Sequence, residues 1–158
     1  SLTGVLNKRT TEQRCRTLLE NTPGEKPFAL LLLDVDNFKQ TNDRYGHPKG
    51  DAVLRCLGEN LSGLFRRDDV VGRVGGDEFL MMMPGAGGEQ AVGRARKIAQ
   101  EMCRSVSVQC GVDVSGSIGV VLSKPGACAY EELLRRADSA LYAAKAAGKG
   151  CYRVYGGA

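Results

Sequence analysis

The segment Phe28-Ala29-Leu30-Leu31-Leu32-Leu33 is continuously apolar and ends on Asp34. A half-exposed strand would alternate apolar and polar residues, and this run does not. It predicts a central strand, buried on both faces, whose end carries acid. A chain built around such a strand must cover both of its sides. Asp34 and Asp36, at the end of the run, then stand at the rim of the core.

The neighbouring segments supply the cover. Thr10 to Glu20 is charged but carries Cys15, Leu18 and Leu19, and reads as a helix. Asn21 to Pro27 is rich in breakers and reads as a loop. Asn37 to Tyr45 predicts a short helix, broken by Gly46 to Gly50. Asp51 is then placed as an N-cap, with Val53, Leu54, Leu57 and Leu61 on one helical face. Val70 to Val74 and Glu78 to Met83 read as two strands around Gly75-Gly76, a hairpin. Glu89 to Arg104 has helical spacing in Ala91, Val92, Ala95, Ile98, Ala99 and Met102, and Val106 to Leu122 alternates as further strand. Tyr130 to Ala147 predicts a helix ended by Gly148, and Tyr152 to Tyr155 a last edge strand. The expected class is α+β with a mostly antiparallel sheet.

Composition narrows the function. The 158 residues suit one domain with a core of its own. A net charge of +4 is compatible with an anionic ligand but too small to argue for a nucleic-acid polymer groove. No apolar run approaches membrane-spanning length, so no membrane contact is expected of this domain. The six cysteines form no CxxC pair and His47 is the only histidine, which argues against zinc and for buried reduced thiols. Ser1 at the first position sets the expectation of a domain excised from a longer protein.

The chemistry collects in carboxylates. Alternate residues of an extended chain share a face, so Asp34 and Asp36 are expected together. Asp77 and Glu78 follow Gly75-Gly76, whose glycines would supply turn angles cheaply. If the hairpin lies beside the first strand, three carboxylates converge. Two such charges about 4 Å apart repel by roughly 4 kcal/mol at an effective dielectric near 20. The cluster therefore calls for protons or cations, and magnesium suits hard oxygen donors and phosphates. Spacing alone is better served by acids that merely end a strand and decorate a turn.

Gly75-Gly76-Asp77-Glu78-Phe79 reads GGDEF, and the chain resembles the GGDEF family, the diguanylate cyclases, over nearly its whole length. Leu2-Thr3-Gly4 resembles the family's opening LTG, and Asp34 to Lys39 its DxDxFK. Asn42-Asp43, Gly46-His47 and Gly50-Asp51 resemble its NDxxGHxxGD. Ser117-Ile118-Gly119 resembles SIG, and Ala137 to Lys145 resembles ADxALYxAK. The resemblance implies a ferredoxin-like palm, similar to nucleotide cyclases, spanning 1–158 and belonging to a signalling protein. It implies condensation of two GTP into cyclic di-GMP and two pyrophosphates across a transient homodimer, with two Mg2+ (or Mn2+) per active site. It also implies a cytoplasmic domain, whether or not the full-length protein is membrane-tethered.

The family roles carry over as follows. Asp34, Asp77 and the Val35 carbonyl hold metal, and Asp77 also assists deprotonation of the ribose 3′-hydroxyl, with Glu78 the weaker candidate for either task. Gly75 and Gly76 let the backbone approach the nucleotide. Asn37, Phe38 and Lys39 offer backbone amides to phosphates at a helix start, although Lys39 also reads as a solvated lysine. Lys145 reaches the β- and γ-phosphates. Lys149 stands where the family usually has arginine, and lacks its bidentate fork. Asn42 and Asp51 read guanine, because a carboxylate accepts from guanine N1–H and N2–H and adenine offers no such pair. His47 is expected to pack or hydrogen-bond in its loop.

Arg66 and Asp69 form RxxD five residues before Gly75, which resembles the family's inhibitory cyclic di-GMP site. A second arginine comes from Arg94 or Arg96. Departures from the family pattern are Val5 to Arg9 for the opening GLPNR, Gly148 to Cys151 for GRNR, and the run Met81-Met82-Met83. The alternative reading is a catalytically weak module that binds GTP or cyclic di-GMP as a sensor.

Overall fold

The computed structural model describes residues 4–156. Leu2 and Thr3 of the opening motif lie outside the described residues. Helix α1 (Lys8–Asn21) leads to strand β1 (Phe28–Val35), the short helix α2 (Phe38–Tyr45) and the longer α3 (His47–Leu64). Strands β2 (Val70–Arg73) and β3 (Glu78–Pro84) form the hairpin. Helix α4 (Gly88–Lys97) runs through a π-helical turn (Ile98–Met102) into α5 (Cys103–Cys110). Strand β4 (Gly116–Ser123), helix α6 (Tyr130–Ala146) and strand β5 (Tyr152–Val154) complete the chain.

The sheet order is β2-β3-β1-β4-β5, with β1 in the middle as its apolar run requires. All pairings are antiparallel except β4 with β5. Every residue of β1 is buried. One set of its side chains, Ala29, Leu31 and Leu33, packs with Val53, Leu57, Ala95, Ile98 and Val106 of α3, α4, the π turn and α5. The other, Phe28, Leu30 and Leu32, packs with Cys15 of α1 and Leu133, Ala137 and Leu141 of α6. The α+β class with a mostly antiparallel sheet flanked by helices is as the sequence predicts.

Two boundaries differ. Asp51 is not an N-cap: α3 begins at His47 and its cap is Gly46. Pro48 sits in the first turn, where its missing N–H would have had no intrahelical partner and its fixed φ suits a helix. The helix expected to stop at Arg104 continues to Cys110, so Val106 is helical rather than strand. Ala91, Ala95, Ile98, Met102 and Val106 recur every three or four residues on one buried face, and the extra residue of the π turn keeps them in line. The chain stops only at Gly111, in the left-handed conformation.

Helix α6 lies unusually close to the sheet. A Cβ on Gly119 would stand 2.2 Å from the Ala137 carbonyl oxygen and 2.6 Å from the Leu141 nitrogen, both backbone atoms. The missing side chain sets the depth of α6 and therefore the reach of Lys145 near its end.

Candidate active site

The site forms where β1 leaves the sheet. In the register, Asp34 faces Glu78 on β3 and Ser117 on β4. The Asp77 carbonyl accepts the Val35 N–H at 3.1 Å, which pins the Gly-Gly turn to the end of β1. The turn is clamped from its own hairpin by Arg73, whose guanidinium donates to the carbonyls of Gly75 and Gly76. Neither glycine has positive φ, so turn angles are not the reason for them. At Gly75 the reason is space: the Glu78 carboxylate folds back to 2.5 Å from where a Cβ would be.

That fold-back corrects the expected triple convergence. Among the described residues, no three His, Cys, Asp or Glu side chains gather as a metal cluster. The close pair is Asp34 with Asp77. Burial, the hydrogen-bonding contact with Asp34 and its charge push the Asp77 carboxyl up to about 6. Burial and the charges of Asp34 and Asp138 raise Glu78 as well, against the pull of Lys145 and Lys8. Asp34 is 7% exposed; its Oδ2 accepts from Lys145 Nζ, and its Oδ1 is buried without a partner. Burial lowers the Lys145 ammonium, but Asp34, Asp77 and Asp36 outweigh it and hold the value above ordinary. An orphaned buried acceptor between two repelling carboxylates fits a hard divalent cation held by Asp34, Asp77 and the Val35 carbonyl, with other oxygens from water and substrate.

Asp36 does not join this pair, although it lies two residues from Asp34. The chain has left the strand by then, and Asp36 turns toward Ser115 and Ser117. Asn37 sits at the start of α2 in the left-handed region (φ 54°), and its Oδ1 accepts from Lys149 Nζ at 2.7 Å. Phe38 and Lys39 supply the first turn of α2, with Lys39 exposed. Asn42 and Asp51 come to one corner because α2 and α3 touch through Gly50, where a Cβ would meet Asn42 Oδ1 at 1.8 Å. That oxygen is buried and unpartnered, while Asp51 is exposed. His47 is also exposed, so it does not pack as expected.

With this geometry in hand, the comparisons with known proteins are specific. The family described as "Diguanylate cyclase, GGDEF domain" matches residues 1–151. The chain belongs to the GGDEF family. It is 36% identical over 150 residues to the probable diguanylate cyclase DgcC of Escherichia coli K12, covering 94% of this chain and 40% of that protein. The chain thus spans less than half the length of this curated relative. Diguanylate cyclase SiaD of Pseudomonas aeruginosa, solved in complex with its activator SiaC, superposes with a TM-score of 0.88 at 33% identity, over 97% of this chain and 60% of that one. The GGDEF domain of DgcB from Caulobacter crescentus, solved with c-di-GMP, gives a TM-score of 0.82 at 26% identity, over 99% and 92%.

The RxxD loop of this GGDEF domain lies just ahead of β2, away from the carboxylates. Arg66 and Asp69 close on each other: the Arg66 N–H donates to Asp69 Oδ2 at 2.8 Å, and the Asp69 N–H to the Arg66 carbonyl at 3.0 Å. A cavity of about 190 Å³ is lined by Arg66, Asp69, Gln90 and Arg94, with Met83 to Ala86 as its floor. Geometry thus selects Arg94, which stacks on Phe65 and donates to the Leu64 carbonyl. Arg96 is turned to Tyr152 instead. Burial raises the Asp69 carboxyl, partly offset by the Arg66 N–H and the charges of Arg94 and Arg66.

Sequence reasoning missed Arg73 and the separate character of Asp36. Arg73 carried a signal, an arginine two residues before a Gly-Gly turn whose carbonyls need donors. Asp36 carried none, because its serine partners lie about eighty residues away in the chain.

Proposed function

We propose that this domain is a diguanylate cyclase, condensing two GTP into cyclic di-GMP and releasing two pyrophosphates, with each protomer of a transient homodimer holding one nucleotide. The observation that carries the reading is the Asp34–Asp77 pair, with its orphaned oxygen and its acid shifted to about 6. Two Mg2+ (or Mn2+) ions, held by Asp34, Asp77 and the Val35 carbonyl, would supply charge stabilisation to the attacking and leaving oxygens. Asp77 accepts the proton of the 3′-hydroxyl that attacks the α-phosphate of the partner's nucleotide. Glu78, beside Lys145 and Asp34, is a secondary contributor through charge. The backbone amides at the start of α2 and the ammonium groups of Lys145 and Lys149 bind the triphosphate. Lys145 would exchange Asp34 for the β- and γ-phosphates. Asn42 and Asp51 read guanine.

The loop with Arg66, Asp69 and Arg94 binds cyclic di-GMP and inhibits the enzyme, a reading supported by the c-di-GMP held in the DgcB structure. Among the described residues no helix is long and apolar enough to cross a membrane. We place the domain in the cytoplasm as part of a longer signalling protein. The SiaD–SiaC complex gives a precedent for control of such a domain by a partner protein.

The test is incubation of concentrated protein with GTP and magnesium, followed by chromatography and mass analysis. Cyclic di-GMP from wild type and none from Asp77→Ala is the expected result. No product, even from a forcibly dimerised domain, would overturn the reading in favour of a nucleotide sensor. Equal turnover of ATP would remove the guanine role of Asp51.

A further inference from the structure

Asp36 is 6% exposed, and both of its oxygens are engaged. Oδ1 accepts from Ser117 Oγ at 2.6 Å. Oδ2 accepts from Ser115 Oγ at 2.7 Å and from the Gly150 backbone N–H at 2.9 Å. Gly150 N–H also lies 3.2 Å from Ser117 Oγ. A buried carboxylate is costly unless it is hydrogen-bonded, and here the donors come from β4 and its approach and from the turn after α6. It is a knot joining three parts of the chain.

The turn it holds is conformationally demanding. Gly148, Lys149 and Gly150 have φ of 120°, 65° and 62°. Among the described residues, the non-glycines with positive φ are Asn37 and Lys149, and these two touch: Lys149 Nζ donates to Asn37 Oδ1. Left-handed backbone at a side-chain-bearing residue persists where the surroundings over-determine it. The turn from β1 into α2 and the turn from α6 into β5 are thus bolted together twice, by Asp36 to Gly150 and by Lys149 to Asn37. Both bolts sit beside the phosphate-facing start of α2.

We propose that Asp36 is a positioning residue for nucleotide binding: its carboxylate clasps Gly150 and thereby fixes where Lys149 and the start of α2 meet the triphosphate. It acts through that turn and holds no metal. This rests on reading the chain as a GTP-using domain. The division of labour within Asp34-Val35-Asp36 follows from the bonds. Asp34 keeps an oxygen for a ligand, and Asp36 spends both on the fold.

The experiment compares Asp36→Leu, Asp36→Asn and Asp34→Asn. Three quantities are read: amide exchange at Gly150 by NMR, affinity for a non-hydrolysable GTP analogue with Mg2+, and KM and kcat for GTP. In Asp36→Leu, Gly150 exchange should accelerate at least about ten-fold, and KM and the analogue's Kd should rise roughly ten- to hundred-fold, with kcat changing less. Asp36→Asn retains an acceptor for Gly150 and should recover most of both effects, whereas Asp34→Asn should lose kcat. A collapse of kcat in Asp36→Asn like that in Asp34→Asn would make Asp36 a metal ligand and overturn the proposal. Unchanged analogue affinity in Asp36→Leu would overturn it too. If Asp36→Leu does not fold, Ser115→Ala, which removes one donor to the same oxygen at an exposed residue, should weaken analogue binding about three-fold, and no change overturns the proposal. If wild type makes no cyclic di-GMP, the cyclase reading falls by itself, and Gly150 exchange with analogue affinity still decides the role of Asp36.

Discussion

The carboxylate end of β1 and the Arg66–Asp69 loop are both charged, and they treat charge in opposite ways. At the first, like charges are pressed together, one acceptor is buried without a donor, and the Asp77 acid is held up to about 6. At the second, Asp69 already accepts the Arg66 N–H, and Arg94 already has an aromatic ring and a carbonyl to hold it. The first region leaves an acceptor open as a protein, and on the proposed reading a cation fills it. The second is satisfied as it stands, and a ligand there must add to contacts that exist. On the proposed reading, electrostatic tension marks the place where chemistry depends on an added ion, and self-closure marks a surface for recognition.

The sharpest way to break this comparison is to remove the tension. Asp34→Asn or Asp77→Asn should lower turnover by about a thousand-fold, the several kcal/mol that metal-assisted charge stabilisation supplies. In metal-free thermal melts Asp77→Asn should be at least as stable as wild type, because a repulsion is gone, whereas Asp34→Asn also gives up the ion pair with Lys145. A large loss of stability would mean that the pair is structural.

Next, the closed loop can be opened. Arg66→Ala and Asp69→Ala should weaken inhibition by cyclic di-GMP at least about ten-fold, the loss of a charge-assisted contact. Initial rates at low product should stay near wild type. Arg94→Ala should do the same and also lower stability by about 1 kcal/mol, since it gives up the Phe65 stack. Inhibition surviving all three changes would place the product elsewhere.

A further test separates the regions by ion. Magnesium at about a hundred times its Kd should raise wild-type stability by about 2.7 kcal/mol, and should leave Asp77→Asn nearly unmoved. An equal shift in both would sink the assignment of the cation to Asp77.

The last test is in pH. Asp77 is raised from its ordinary 3.8 to about 6, so the folded, metal-free domain keeps this proton longer than the unfolded chain does. The associated stability is present in full below pH 3.8 and is lost as pH rises through about 6. Carbon-13 titration of Asp77 should give a midpoint near 6 that falls when Mg2+ is added. A midpoint in the ordinary carboxylate range without metal would remove the tension argument.

Much of this was legible in the sequence because the signals were local. The apolar run of β1, the spacing of Leu133, Ala137 and Leu141, and the glycines of the hairpin each declare their own element. The misreadings arose where distant contacts decide. Asp51 looked like a cap because Gly46 to Gly50 looked like a break, but Pro48 and the packing of Gly50 on Asn42 let the helix start earlier. Val106 looked extended because the residues after it alternate, but its spacing from Ala95, Ile98 and Met102 keeps it on the buried face of a helix that runs on to Cys110. The three expected carboxylates became two because Glu78 finds room above Gly75. The choice of Arg94 over Arg96 needed a cavity, which no spacing reveals.

The contact of α6 with Gly119 reaches further than the fold. Helix and sheet meet there backbone to backbone, with no deformable side chain between them. The distance from the sheet to Lys145 is therefore a machined tolerance rather than a soft spring. An alanine at 119 would act as a shim one methyl thick under the helix, and its wear would show at a lysine whose own sequence is unchanged. For anyone transplanting this helix onto another sheet, the part to copy first is an absent atom.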